Sequence, residues 1–264
     1  IDARVPFALN ESDCRRHFAG LGEYCQQFDP ALPVTTALLG DSHAAHFFPG
    51  LGARLQASGE GVVHLGQTGC PPLLGIERLN QAGDNSCARV NRAVIDAVLA
   101  DRSITDVWLS FRGVMAVTGS EAENLPPADL FRTIGGNETN AAAIGPALRQ
   151  TIGVLPSGKK KVGLILQVPE LGFRVDQCTG RPFSLAHRPA RSPCVVPRAQ
   201  VMARQSAYRS LIAAVQGESP LALYDPLSAL CDDVSCYAVA DGHMLYFDDN
   251  HLGIYGSSWA LRGF

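Results

Sequence analysis

A parallel β-sheet with helices on both faces is the architecture that this 264-residue chain predicts. Short, continuous apolar runs bounded by turn residues read as strands buried on both sides. Longer helix-like segments separate them, and strands that alternate with helices close into parallel βαβ units. An apolar content of 46%, with 18% charged residues, supports a sizeable buried core.

The strand-like runs are VTTALLG (34–40), GVVHLG (61–66), ITDVWLSF (104–111), KVGLILQV (161–168) and LALYD (221–225). Helical segments lie at 43–58, at 86–101 with Ser86 as N-cap, at about 139–155 and at 198–216. Pro49 stands early in the first of these, where a missing N–H costs least. Residues 1–33 and the stretches 112–138 and 169–197 have no clear periodicity, and the last is dense in Pro, Arg and Cys. Loops of that length in a compact domain are functional or stapled. One domain over 34–264, preceded by an extension at 1–33, is the simplest account.

A formal charge of −3 supplies no global attraction to nucleic acid or to an anionic membrane. No window approaches the roughly 18 apolar residues of a membrane span, and the opening IDARVPFALN has neither Met nor a signal-peptide core, so it reads as a mature or excised fragment. Eight cysteines fall into four sequence-local couples, Cys14–Cys25, Cys70–Cys87, Cys178–Cys194 and Cys231–Cys236. No couple has the spacing of a zinc knuckle, and an even count spread this way suits disulfides in an oxidising compartment.

Two stretches carry chemistry. In ALLGDSHAAHFF (37–48), Ser42 follows a strand and precedes a helix, which places its hydroxyl at the carboxyl edge of the sheet where open α/β folds bind ligands. The helix start behind it favours negative charge. Asp41 or Ser42 as a simple helix cap is an equal reading of those letters alone. The second stretch, YFDDNHLGIYGSSWALRGF, decides for catalysis: Asp248 and His251 stand three apart in a polar turn before a last helix of about a dozen residues. There a carboxylate folds back on an imidazole and fixes its tautomer, and together with Ser42 this makes a nucleophile, a base and an orienting acid. Asp249 is assigned to a charge pair at the helix start.

GDSH after the first strand and DDNH near the end, in the D-x-x-H spacing, resemble the SGNH (GDSL-like) hydrolase superfamily. LLGDSHAAHFFPGL, TGCPPL (68–73) and LYFDDNHLGIYGS (245–257) resemble, more narrowly, the periplasmic SGNH domain fused behind the membrane-spanning acyltransferase-3 domain of bacterial O-acetyltransferases. The resemblance implies a flavodoxin-like three-layer α/β/α sandwich with a five-stranded parallel sheet, in which Ser42 attacks an acyl carbonyl, His251 is the base and Asp248 orients it. It also implies an oxyanion hole made of the Ser42 N–H, a glycine after the second strand and an asparagine after the third. Gly69 is the candidate glycine, with Gly66 as fallback. The asparagine is missing, since the chain reads WLSFRGV there. Arg112 is the candidate replacement, beside the alternative that it only pairs with a loop carboxylate.

A metal site drawn from Asp41, His43, His46, Asp248, Asp249 and His251 would leave Ser42 without a task, so neither metal nor cofactor is expected. His43 is instead a second-layer or substrate-facing residue, and His46 a buried histidine packed with Phe47 and Phe48. Arg174, Arg181, Arg188 and Arg191 form a candidate basic rim for an anionic glycan or a lipid-linked phosphate sugar, beside the reading of a solvated basic loop.

The expected function is therefore a periplasmic O-acetyltransferase domain. A membrane acyltransferase-3 domain of the same polypeptide would relay the acetyl donor, and a surface glycan such as lipopolysaccharide O-antigen would accept the acetyl group. A secreted acetylesterase and a non-catalytic glycan-binding module are the rivals.

Overall fold

The structure, a computed structural model, describes residues 11–79, 86–121, 125–178 and 190–264. Helix α1 (Glu11–His17) and strand β1 (Tyr24–Gln27) come first, then β2 (Val34–Gly40), α2 (Ser42–Ala45), α3 (Phe48–Gln56) and β3 (Gly61–Gly66). The middle of the chain forms β4 (Ile76–Arg78), α4 (Cys87–Ala100), β5 (Asp106–Ser110), α5 (Gly113–Thr118), β6 (Phe131–Thr133), α6 (Ala141–Val154) and β7 (Lys161–Ile165). Then follow β8 (Val195–Pro197), α7 (Arg198–Glu218), β9 (Ala222–Tyr224), α8 (Leu227–Leu230), β10 (Ser235–Tyr237), β11 (Val239–Ala240), β12 (His243–Met244) and α9 (Ile254–Ala260).

The central sheet has the order β1-β3-β2-β5-β7-β9. Its five parallel strands are the five apolar runs of the sequence. Their order is that of a flavodoxin-like sheet, in which the chain steps from β2 to one side and then returns to the other. The edge strand β1 is antiparallel to β3, and the Cys14–Cys25 disulfide pins α1 to it. Part of the stretch 1–33 is thus built into the sheet as a sixth strand.

Successive strand residues feed two cores, which is why the runs are apolar throughout rather than alternating. Ala37 and Leu39 join one core with Val63, Leu65, Val107 and Leu109, while Leu38 joins the other with Val62. On the first face lie α4 through Val90, Val94 and Val98, α6 through Ile144 and Leu148, and α7 through Tyr208 and Ile212. The second takes Phe48 and Leu51 of α3 and Ala260 of α9. Ser86 caps α4, its Oγ accepting the N–H of Arg89 at 3.4 Å.

The segment 43–58 is two helices rather than one, because Pro49, near the start of α3, has no N–H to continue the bonds of α2. The last helix, α9, has seven residues rather than a dozen. The stretch 112–138 holds α5 and also β6, which pairs with β4. All eight cysteines are paired, in the four sequence-local couples.

At the carboxyl edge, the ends of β3, β2 and β5 press their main chains together. Gly40 sits at φ +154°, and a Cβ there would lie 1.8 Å from the carbonyl oxygen of Ser110. Gly40→Ala is expected to destabilise the fold by about 3 kcal/mol, from overpacking plus backbone strain. Urea denaturation checks this; an unchanged midpoint would contradict the close approach.

Candidate active site

Ser42 opens α2 directly after β2. The carboxylate of Asp41 caps that helix, its Oδ1 accepting the N–H of His43 at 2.8 Å. Its Oδ2 accepts the N–H of Arg112 at 3.1 Å, so one buried side chain ties the helix to the loop after β5. Burial pushes the Asp41 carboxyl up to about 6, against the opposing pull of these two donors.

The second half of the site is the turn at Asp248–His251. Asp248 Oδ1 accepts the backbone N–H groups of Asn250 and His251 at 2.8 and 2.7 Å, which folds the turn back on itself. Oδ2 is then left to accept from His251 Nδ1 at 2.9 Å. A carboxylate can only accept, so Nδ1 carries the proton and Nε2 presents its lone pair. That nitrogen lies 2.8 Å from Ser42 Oγ, across 209 residues of sequence. Burial alone would raise the Asp248 carboxyl, but the imidazole and the two backbone donors outweigh it and hold it down at about 2. The arrangement can withdraw a proton from the Ser42 hydroxyl and store it on an imidazole held by a carboxylate.

His43 and His46 form a wall behind His251, their ring centroids 4.8 and 6.0 Å from its own. Burial, reinforced by the neighbouring His251, holds both well below the usual histidine range, so both are neutral. His43 is 1% exposed, and this corrects the expectation of a substrate-facing residue: its helix face turns into the core. The Asn250 side chain adjoins its ring, an interaction that by itself would raise the imidazole against the pull of burial. His46 Nδ1 accepts the N–H of Leu252 at 3.4 Å.

The three positions expected to hold an oxyanion are placed differently from one another. As the first helical residue, Ser42 has no acceptor for its N–H within the helix. Gly69 has φ +64°, and its carbonyl accepts from Arg78 at 3.1 Å; Gly66 packs its Cα against the carbonyl of Gly40. The Arg112 guanidinium is bound to Glu170 at 2.9 to 3.0 Å and to the carbonyl of Glu121 at 2.6 Å. The loop-carboxylate alternative is therefore the arrangement seen. Glu170 also takes Arg204 at 2.9 Å, and neither residue carried a motif in the sequence.

Of the expected basic rim, Arg174 pairs with Asp176 at 3.3 Å and Arg191 lies over the Phe173 ring at 3.8 Å. Arg181 and Arg188 lie outside the described residues. Asp249 is exposed, its Oδ1 taken by the Asn250 amide. Among the described residues, no group of three or more His, Cys, Asp or Glu side chains is arranged to hold a metal.

Two outcomes follow from this geometry. Because the folded Asp248 value of about 2 lies below the ordinary 3.8, its stabilisation is complete above about pH 4 and is lost as the pH falls toward 2. Asp248→Asn is expected to narrow its stability deficit against the parent protein over that window, followed by urea denaturation at stepped pH; a constant deficit contradicts the assignment. Arg112→Ala is expected to slow turnover of an aryl acetate by less than about tenfold, because its side chain is committed to Glu170. A loss of about two to three orders of magnitude would instead mark an oxyanion donor.

The family model that matches is the SGNH domain fused to AT3 domains, over residues 11–264. A search of curated proteins finds no match. Among solved structures, the periplasmic domain of a Salmonella ser. Paratyphi A lipopolysaccharide acetyltransferase is similar at TM-score 0.58 and 17% identity, over 86% of this chain and 81% of that one. At that identity the likeness establishes the shared fold. TesA (TM-score 0.48, 15% identity, 86% of this chain and 93% of that one) and an extracellular lipase from Streptomyces rimosus (0.46, 12%, 86% and 96%) are more distant. With a family match over nearly its whole length, the chain belongs to the SGNH domains of the kind fused to AT3 domains.

Proposed function

We propose that this chain is the catalytic domain of a periplasmic O-acetyltransferase, which passes an acetyl group through Ser42 to a sugar hydroxyl of an envelope glycan such as lipopolysaccharide O-antigen. The reading rests on one observation above all: Ser42, His251 and Asp248 stand in hydrogen-bonded line, at 2.8 and 2.9 Å, in a member of a family fused to AT3 domains. Four disulfides are compatible with an oxidising compartment. The membrane AT3 domain of the same polypeptide is the proposed source of acetyl groups.

In the first half-reaction Ser42 Oγ attacks the acetyl carbonyl carbon while its proton moves to His251 Nε2. The oxyanion so formed is held by the backbone N–H groups of Ser42 and Gly69; Arg112 would join them only by releasing Glu170. Collapse breaks the bond to the donor group, which leaves with the proton from His251, and the acetyl stays as an ester on Ser42. In the second half, His251 takes the proton of the acceptor hydroxyl as that oxygen attacks the ester. The Ser42 oxygen then leaves and recovers the proton. Asp248 keeps the imidazole in the required tautomer and stabilises it while charged.

A fluorophosphonate probe is expected to label Ser42 and to fail on Ser42→Ala, and Asp248→Asn is expected to lower turnover of an aryl acetate by about 10⁴-fold. No labelling of the folded parent protein would leave a non-catalytic glycan-binding module. With the full polypeptide in membranes and an acetyl donor, an acetylated sugar supports the transferase, and free acetate as the sole product assigns an esterase.

A further inference from the structure

His46 takes no part in the proton transfers proposed for Ser42 and His251, yet it is a polar residue only 1% exposed. Its ring packs edge-on against Phe47, at a centroid distance of 4.4 Å. Packing of that kind is served by a leucine or a phenylalanine at no polar cost. An imidazole buries two nitrogens, and among the described residues Nε2 meets no hydrogen-bond partner. Such a group costs stability, so the contribution of the ring must lie in its other nitrogen.

That nitrogen reaches the turn that carries His251. Nδ1 accepts the N–H of Leu252, the residue after His251, at 3.4 Å. A backbone N–H can only donate, so the neutral ring carries its proton on Nε2, the tautomer opposite to that of His251. At its other end, the backbone N–H of His46 donates to the carbonyl of Ser42 at 3.1 Å. One residue is therefore bonded both to Ser42 and to the neighbour of His251, and it spans the two segments whose side chains meet at 2.8 Å. His43 packs between, its ring 5.1 Å from that of His46 and 4.8 Å from that of His251. The bonds that Leu171 and Val175 make to the carbonyls of Asp249 and Asp248 join the turn to the segment after β7, not to α2.

We propose that His46 is a positioning residue, which sets the separation of Ser42 Oγ and His251 Nε2 by holding Leu252 through Nδ1. The proposal rests on the reading of Ser42 as nucleophile and His251 as its base. A misplacement of about 1 Å in such a contact costs about 10²-fold in rate. The bond between Asp248 and His251 lies wholly inside the turn and does not need His46.

Three substitutions separate the acceptor from the volume of the ring. His46→Asn keeps an acceptor oxygen at the place of Nδ1, His46→Gln moves it to the place of Nε2, and His46→Leu removes it. With an aryl acetate, His46→Gln and His46→Leu are each expected to lower kcat by about 10- to 100-fold with KM within about twofold. His46→Asn is expected to keep kcat within about threefold of the parent, and the rate of fluorophosphonate labelling of Ser42 to follow kcat in all three. The low-field proton resonance of the bond between Asp248 and His251 is expected to persist throughout. A folded His46→Gln or His46→Leu protein as fast as the parent overturns the proposal, and so does a His46→Asn protein slowed as much as His46→Gln. Loss of the low-field resonance overturns it as well, by making His46 a residue that folds the turn. Where His46→Leu does not fold, His46→Asn against His46→Gln decides. No labelling of the parent protein overturns the reading of Ser42 instead, so the two failures are distinguishable.

Discussion

Everything at the site depends on three parallel strand ends meeting without side chains between them. The carbonyl of Ser110 lies where a Cβ on Gly40 would stand, and the carbonyl of Gly40 where one on Gly66 would stand. Only that contact lets Asp41 reach the N–H of Arg112 from the neighbouring strand while also capping α2. The helix carrying Ser42 is therefore located by two strands and a buried carboxylate. With four residues it is too short to be stable alone, since helix nucleation is costly and only tertiary contacts repay it.

The turn that carries His251 is built on the same economy of carboxylates. Asp248 spends one oxygen on its own turn and the other on the imidazole, so the group that shapes the loop also sets the tautomer. Asp41 and Asp248 respond to pH in opposite senses, because burial dominates the first and hydrogen bonding the second. Behind them, neutral His43 and His46 give His251 a polarisable but uncharged wall, which would not oppose the imidazolium of the proposed proton transfer.

Around this centre the loops are tied down by the covalent and ionic means that the strands do not need. Cys70–Cys87 joins the loop after β3 to the start of α4, and Cys178–Cys194 closes a loop within the aperiodic stretch 169–197. Glu170 lies between Arg112 and Arg204, so that one carboxylate ties the loops after β5 and β7 to α7. Such a triad costs desolvation, and with all three groups paired it holds the loops after β5 and β7 in one geometry.

Legible in the letters alone were the five parallel strands, the order of strands and helices, the cysteine couples, and the two motifs whose Ser42, Asp248 and His251 side chains meet in space. Each of these is written in local periodicity, in local spacing or in motifs that keep their letters. Tertiary structure decided what depends on distant neighbours. It added β1 to the sheet, since four residues with two glutamines carry no strand signal until a partner edge is present. It turned His43 inward and committed Arg112 to Glu170, because the direction of a side chain is set by what packs against it.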